Sequence, residues 1–196
     1  MAEGDIPAAA LNVVLAEFNA LRGEIKDRSA SAYTLLNINI TGVTAITGFV
    51  LSGHANPLVL LIVPLFSSAL GMLFVDHSYN IKNIGAYINS RLRPEAVRAA
   101  ANRDLLAYEE FVGAYEQKAI WRFLPFWLPL TMLFAGPPIG VIIFVAPLLK
   151  ERWAFDLWIA GVLLYAIFLI LWGRFLLAPF RGEADDRQQT KADGAS

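Results

Sequence analysis

The sequence predicts an all-α integral membrane protein: four transmembrane helices with amphipathic cytoplasmic helices, assembling as a homo-oligomer. Its 196 residues are 57% hydrophobic and only 17% charged, with a mean hydropathy of +0.51, which is too apolar for a soluble domain of this size. Two long stretches lack Asp, Glu, Lys and Arg altogether: 47 residues from Ser29 to Val75 and 27 residues from Phe123 to Leu149. Stretches of this length can cross a hydrocarbon core as helices.

The first charge-free stretch is interrupted only by His-Ala-Asn-Pro at positions 54–57, so it predicts a transmembrane hairpin. The second contains Gly136-Pro137-Pro138, where tandem prolines should kink or break the helix, with a re-entrant turn as the weaker alternative. The four predicted spans are Tyr33–Gly53, Leu58–Val75, Phe123–Leu149 and Trp153–Gly173. The chain then divides into a cytoplasmic amphipathic helix (1–32), a transmembrane hairpin (33–75), a cytoplasmic helical segment (76–122), a second hairpin (123–175) and a disordered cytoplasmic tail (176–196).

The basic residues orient these spans. Fourteen of the 16 Lys and Arg residues fall in the segments that a four-span topology places on one side. Cytoplasmic segments of membrane proteins carry an excess of Lys and Arg. We therefore expect a protein of the bacterial inner membrane with both termini in the cytoplasm. The chain has no cysteine and only two histidines, which excludes a cysteine-based or histidine-rich metal site, and no cofactor is predicted.

Small and polar residues form one stripe along the first span. The stripe follows helical spacing and comprises Asn37, Thr41, Thr44, Gly48 and Ser52. Hydroxyl and amide groups exposed to hydrocarbon are costly, so the stripe should face protein or water. Two interpretations remain open: close packing against another helix, and the lining of a pore. They are compatible if the stripe lies at an oligomer axis.

Two amphipathic helices are predicted outside the membrane. The first, Pro7–Asp27, carries apolar residues at Leu11, Val14, Phe18, Leu21 and Ile25; this face fits packing on the protein's own cytoplasmic part, an oligomerising seam or an interfacial helix. The second follows at about 95–118. Before it, the second span should continue as a helix to Arg93-Pro94, where proline ends or restarts it.

The cytoplasmic segment contains a basic portion interleaved with tyrosines and amides. Arginine can bind phosphate bidentately and tyrosine can stack on a base, so this portion is a candidate site for an anionic nucleotide or DNA oligomer. Contact with anionic lipid headgroups explains the same residues. The candidate ligand residues are Tyr79, Lys82, Tyr87, Arg91, Arg93, Arg98 and Arg103.

Asp76 and His77, at the inner end of the second span, are candidate gate residues, although such a pair also simply caps an interfacial helix turn. Signatures of enzymes are missing: the sequence has no phosphate-cradling glycine loop, no HExxH motif and no nucleophile with a nearby base. We therefore expect no catalytic residues.

The layout resembles a family of small bacterial membrane proteins. Its features are Glu17-Phe18-Asn19-Ala20-Leu21-Arg22-Gly23-Glu24-Ile25 before the first span, a proline-containing second span ending in Asp76-His77, and Ile84-Gly85-Ala86-Tyr87-Ile88 beyond it. These resemble membrane effectors that accompany nucleotidyltransferases in anti-phage defence, and the layout is similar to that of channel subunits of the Hailong system. The resemblance implies a homo-oligomeric, tetrameric ion channel controlled by a single-stranded DNA oligomer that a partner enzyme makes.

The sequence therefore favours a ligand-controlled channel that depolarises the membrane. The alternative is a non-conducting membrane scaffold or adaptor that recruits a cytoplasmic partner through the same amphipathic faces.

Overall fold

The computed structural model describes residues 8–100 and 120–177, of which 94% are helical and none is in a strand. Four of the helical segments in these ranges are long and apolar enough to cross a membrane, which confirms an all-helical fold with four candidate membrane spans. The helices are α1 (Ala8–Leu51), α2 (Ile62–Tyr87), α3 (Arg93–Ala100), α4 (Ile120–Val145) and α5 (Arg152–Leu177).

Helix α1 is one continuous helix of 44 residues that contains both the amphipathic segment and the first span. It ends at Leu51, and Gly53 follows with a φ of 77°, a left-handed conformation that glycine adopts without steric cost. Asn56 then accepts a hydrogen bond from the Leu58 amide through its side chain, which starts a 3-10 turn over Pro57–Leu61. The interruption predicted at 54–57 is therefore the turn of a helical hairpin.

The helical path of α2 continues beyond the second span, as predicted. It passes through a π-helical turn, Ile88–Leu92, before α3 begins at Arg93. Pro94 has no amide hydrogen to donate, and its ring crowds the carbonyl four residues earlier. Widening the turn just before the proline is a common way to accommodate it, and the Arg93 amide bonds the carbonyl of Ile88, five residues back. The helix thus restarts at Arg93-Pro94 instead of stopping.

Helix α4 runs without interruption across Pro137 and Pro138 from Ile120 to Val145, and a 3-10 turn at Ala146–Leu148 follows. Of the two expected effects of the tandem prolines, a break of the third span is wrong, as is the alternative of a re-entrant turn, whereas a kink within the continuous helix stays a prediction. A helix of 26 residues is about 39 Å long at 1.5 Å per residue, which is enough to cross the hydrocarbon core. Hydrogen bonds from side chains of neighbouring helices explain why α4 continues through the two prolines.

Two compact units can be distinguished. The first, the four-helix unit, comprises Ala30–Ser78 and Trp121–Leu177. Its main core is aromatic: the Phe74 ring lies 5.3 Å from Phe134 and 6.0 Å from Trp172, and Phe168 lies 5.7 Å from Trp172 between ring centroids. A smaller apolar cluster contains Leu60, Leu61, Val145 and Ala154.

The second unit includes, among the described residues, 8–29 and 79–100. Its buried residues Ile88, Leu92 and Ala96 recur every four positions. On the predicted amphipathic face of α1, Val14, Phe18, Leu21 and Ile25 are half-buried. Arg103, the predicted helix beyond residue 100 and the tail from residue 178 lie outside the described residues.

Candidate functional site

The five stripe residues of the first span form an exposed surface, which we call the polar face: Asn37, Thr41, Thr44, Gly48 and Ser52. None of them is buried by the rest of the chain. A Cβ atom placed on Gly48 would meet nothing within 4 Å. Only 11% of the most apolar window of α1 is buried, against 50% for the second span. The polar face is thus not the side of α1 that packs within the protomer.

The opposite side of α1 packs on the other helices. Asn39 is 1% exposed, and Ile46 packs against the smaller apolar cluster. Each of these residues lies two positions from stripe residues on both sides. Two positions correspond to about 200° around a helix of 3.6 residues per turn, so the polar face points away from the packed face. Within the protomer, the polar stripe of α1 therefore lies on its outer surface, and the opposite side of the helix contacts the other helices.

The side chain of Asn39 replaces one of the helical hydrogen bonds that the tandem prolines remove. Pro137 cannot donate to the carbonyl of Leu133, and instead the Asn39 side-chain amide donates to that oxygen at 3.1 Å. Pro138 likewise leaves the carbonyl of Phe134 free, and the hydroxyl of Ser67 donates to it at 3.1 Å. Both carbonyls that the prolines deprive of a helical donor therefore receive one from a neighbouring helix.

Helix α5 supplies three further donors to α4. The Tyr165 hydroxyl donates to the carbonyl of Ala135 at 3.2 Å, and the Trp158 indole donates to the carbonyl of Ile142 at 3.0 Å. The Trp172 indole donates to the Thr131 hydroxyl at 3.0 Å. The third span is thus hydrogen-bonded to each of the other three spans.

Asn39, Ser67 and Tyr165 are residues that the sequence analysis did not select. The available signal was the Pro137-Pro138 pair, which by itself requires donors near positions 133 and 134. What the sequence lacked was the identity of the helices that lie beside those carbonyls.

At the end of the polar face, Ser52 contacts His54. The Ser52 hydroxyl lies 2.9 Å from the Phe49 carbonyl, to which it donates, and 2.8 Å from Nδ1 of His54. A serine hydroxyl has a single proton, so with that proton on the Phe49 carbonyl it accepts from Nδ1–H. The exposed imidazole is also stacked on Phe49, with centroids 6.1 Å apart and planes at 20°. This arrangement holds the ring in place, and in the tautomer with the proton on Nδ1 it leaves Nε2 with a free lone pair.

Three candidate ligand residues and Asn83 form an exposed row at four-residue spacing along α2 and the π-helical turn that follows it. Tyr79, Asn83, Tyr87 and Arg91 are all exposed, and we call them the tyrosine row. Arg98, farther along on α3, is exposed as well and donates to the carbonyl of Pro94 at 3.2 Å. Two aromatic rings, an amide and two guanidinium groups are therefore presented to solvent.

Two of the basic candidates are placed differently. Lys82 and Arg93 are half-buried, and each already interacts with other groups of the chain. Exposed guanidinium groups are better placed than these to meet an external phosphate. Among the described candidates, Arg91 and Arg98 are thus the strongest.

Tyr87 links two helices of its unit. Its hydroxyl donates to the Glu17 carboxylate at 2.8 Å. The hydrogen bond and the negative charge of Glu17 raise the pKa of Tyr87 above its usual value of 10.0. Tyr87 lies 12 positions beyond the apolar end of the second span at Val75. At neutral pH its hydroxyl stays protonated and keeps this contact.

The gate candidates differ in burial. Asp76 is exposed and interacts with another group, whereas His77 is half-buried. Nδ1 of His77 is buried and has no hydrogen-bond partner among the described residues. The described part of the chain also holds no cluster of three or more His, Asp or Glu side chains that could bind a metal ion.

Comparison of the chain with protein family models, curated proteins and solved structures finds no match.

Proposed function

We propose that the chain forms a homo-oligomeric ion channel in the bacterial inner membrane, with the polar face of α1 near its axis. Opening would depolarise the membrane, as expected of a toxic effector in anti-phage defence. The observation that carries the proposal is the exposure of all five polar-face residues, on the side of α1 opposite to the packed face.

Lipid is a poor environment for this face. Side-chain amides and hydroxyls in hydrocarbon lose the hydrogen bonds that they make with water. The described part of the protomer does not cover the face. Groups that do not bond back to their own helix, as Ser52 does to Phe49, therefore need another copy of the chain or water. A symmetric assembly around α1 provides both: Gly48 allows close approach of neighbouring helices, and Asn37, Thr41 and Thr44 face the axis. A neutral lining of this kind predicts weak ion selectivity.

Control by an anionic ligand is the second part of the proposal. Arg91 and Arg98 offer bidentate donors, and Tyr79 offers an exposed ring earlier on the same helical path. The count of basic residues places this region on the cytoplasmic side, together with both termini. A nucleotide or single-stranded DNA oligomer from a partner nucleotidyltransferase fits this chemistry, and the resemblance implies a tetramer.

The test is conductance of the purified protein in planar bilayers. In Thr44→Leu and Gly48→Leu, an apolar side chain enters the polar face, and we expect the current to be abolished because a hydrophobic constriction excludes water. Ala166→Leu is the matched control: it adds similar volume at an exposed position on α5 and should leave the current unchanged.

Unchanged currents in both polar-face variants would remove α1 from the pore. Absence of current from the wild type, with and without single-stranded DNA, and of depolarisation in expressing cells would favour the alternative, a non-conducting scaffold that recruits a cytoplasmic partner.

A further inference from the structure

We infer that the hairpin turn at 52–56 carries one ligand of a transition-metal site that several copies of the chain complete, with Zn²⁺ as the fitting ion. The ligand is Nε2 of His54. The inference rests on the proposed assembly around the polar face, since it requires more than one copy.

The imidazole of His54 makes the kind of hydrogen bond that metal-ligating histidines usually make through their other ring nitrogen. Such histidines donate the N–H of their other ring nitrogen to a fixed acceptor, which sets the tautomer and the orientation of the ring. Here Nδ1 lies 2.8 Å from the Ser52 hydroxyl, whose own proton goes to the Phe49 carbonyl. Stacking on Phe49 holds the ring plane. An exposed histidine without a binding role needs neither constraint.

The position of His54 favours a site that several copies of the chain share. Two histidines per chain are too few for a histidine-rich site within one protomer, and the described residues contain no cluster of three candidate ligands. His54, however, lies two residues beyond the last turn of the polar face and is hydrogen-bonded to its terminal member, Ser52. In an assembly with the polar face near the axis, one imidazole per copy surrounds the same mouth of the pore. Zn²⁺ accepts such nitrogen ligands in tetrahedral geometry.

The consequence for the channel is block by zinc. A divalent ion held on the axis obstructs the path and repels other cations. No carboxylate occurs between Ser29 and Val75, so on this hairpin imidazole is the only side chain that binds Zn²⁺ strongly.

The experiment measures zinc binding to the full-length protein in lipid nanodiscs. We expect less than one Zn²⁺ per chain, at a fixed number of chains per ion. His54→Gln should abolish this binding, and His77→Gln, the matched control, should retain it. Ser52→Ala should weaken the affinity by about tenfold or more, because it removes the acceptor of Nδ1–H.

Current recordings provide an independent readout. Zn²⁺ added on the side of the turn should block the wild-type current reversibly, with recovery on adding EDTA, whereas His54→Gln should conduct and resist block. Equal zinc affinity in wild type and His54→Gln, or one ion bound per isolated chain, would overturn the site. If the wild type carries no current, the proposed channel fails, and the binding measurement still decides the zinc site.

Discussion

The side-chain amide of Asn39 donates to the carbonyl of Leu133 at 3.1 Å, on the residue four positions before Pro137. In an ideal helix that oxygen would accept the amide hydrogen of residue 137, which proline lacks. Ser67 has the same relationship with Phe134 and Pro138. A pair of prolines that should break a transmembrane helix is thus tolerated because two neighbouring helices each supply one donor.

Asn39 and Pro137 should be energetically coupled. Asn39→Leu leaves the Leu133 carbonyl without its donor, so we expect a lower free energy of unfolding. In a Pro137→Ala background the alanine amide restores the helical bond, and the same substitution should cost less. The coupling energy of the double-mutant cycle should be about 0.6 to 1.7 kcal/mol, the range for hydrogen bonds between transmembrane helices. Equilibrium unfolding in mixed micelles measures it.

Asn37→Leu provides the control for this cycle. It makes the same chemical change two residues away, on the exposed side of α1. It should show no coupling with Pro137→Ala. Additive effects of Asn39→Leu and Pro137→Ala would contradict the proposed role of Asn39.

Two adjacent serines should respond in opposite ways to removal of their hydroxyl groups. Ser67 and Ser68 are both 0% exposed. Ser67→Ala orphans the Phe134 carbonyl and should lower the free energy of unfolding by about 0.6 to 1.7 kcal/mol. The Ser68 hydroxyl has no partner among the described residues, so Ser68→Ala should leave stability unchanged or raise it. Equal losses in the two variants would show that Ser67 acts through packing and not through its hydrogen bond.

Two glycines should tolerate alanine very differently. A Cβ on Gly71 would lie 2.6 Å from Cε2 of Phe168, a fully buried ring that packs at a tilt against Trp172, so the ring would have to shift within the core. Gly71→Ala should therefore destabilise the protein by about 1–3 kcal/mol. Gly23→Ala, on an exposed part of α1 outside the polar face, meets open space and should stabilise the helix by about 0.5–1 kcal/mol. Thermal unfolding of the two variants under one condition separates them, and equal midpoints would contradict the packing at Gly71.

The sequence was sufficient for the features that depend on length and periodicity. Two charge-free stretches indicated three of the spans, and the apolar stretch Trp153–Gly173, which contains Asp156, indicated the fourth. Helical spacing placed Thr44 and Gly48 on one face, independently of the rest of the chain. The sequence was not sufficient to predict contacts between distant segments. Asn39 and Leu133 are 94 positions apart, and Tyr87 and Glu17 are 70 apart, so their pairing depends on which helices pack together.

Proline shows the same limit. Its local effect, loss of an amide donor, is readable from sequence, but the outcome depends on what can compensate. At Pro94 a π-helical turn accommodates the ring, and at Pro137 and Pro138 side chains from other helices do so. Local propensity alone therefore predicts a kink or a break at Pro137 and Pro138, and the packed structure avoids the break.

Arg91 of the tyrosine row and Arg98 beyond it lead to the last prediction. Arg91 and Arg98 are exposed, whereas Arg93 is half-buried and already interacts with another group. If the row binds an oligonucleotide, the double variant Arg91→Ala/Arg98→Ala should bind hexathymidylate more weakly. It should also lower the slope of log affinity against log salt concentration by about 1.4, since each phosphate contact on a single strand contributes about 0.7.

Fluorescence anisotropy of labelled hexathymidylate across a salt series measures both quantities. Lys26→Ala is the control, because Lys26 is an exposed base of α1 outside the row. It should leave the slope unchanged. Tyr79→Ala should weaken binding by about 1–3 kcal/mol without altering the slope, because stacking on a base releases no counterions. If affinity and slope persist in the double arginine variant, these side chains serve anionic lipid headgroups, and a vesicle-binding assay with phosphatidylglycerol would then show the loss instead.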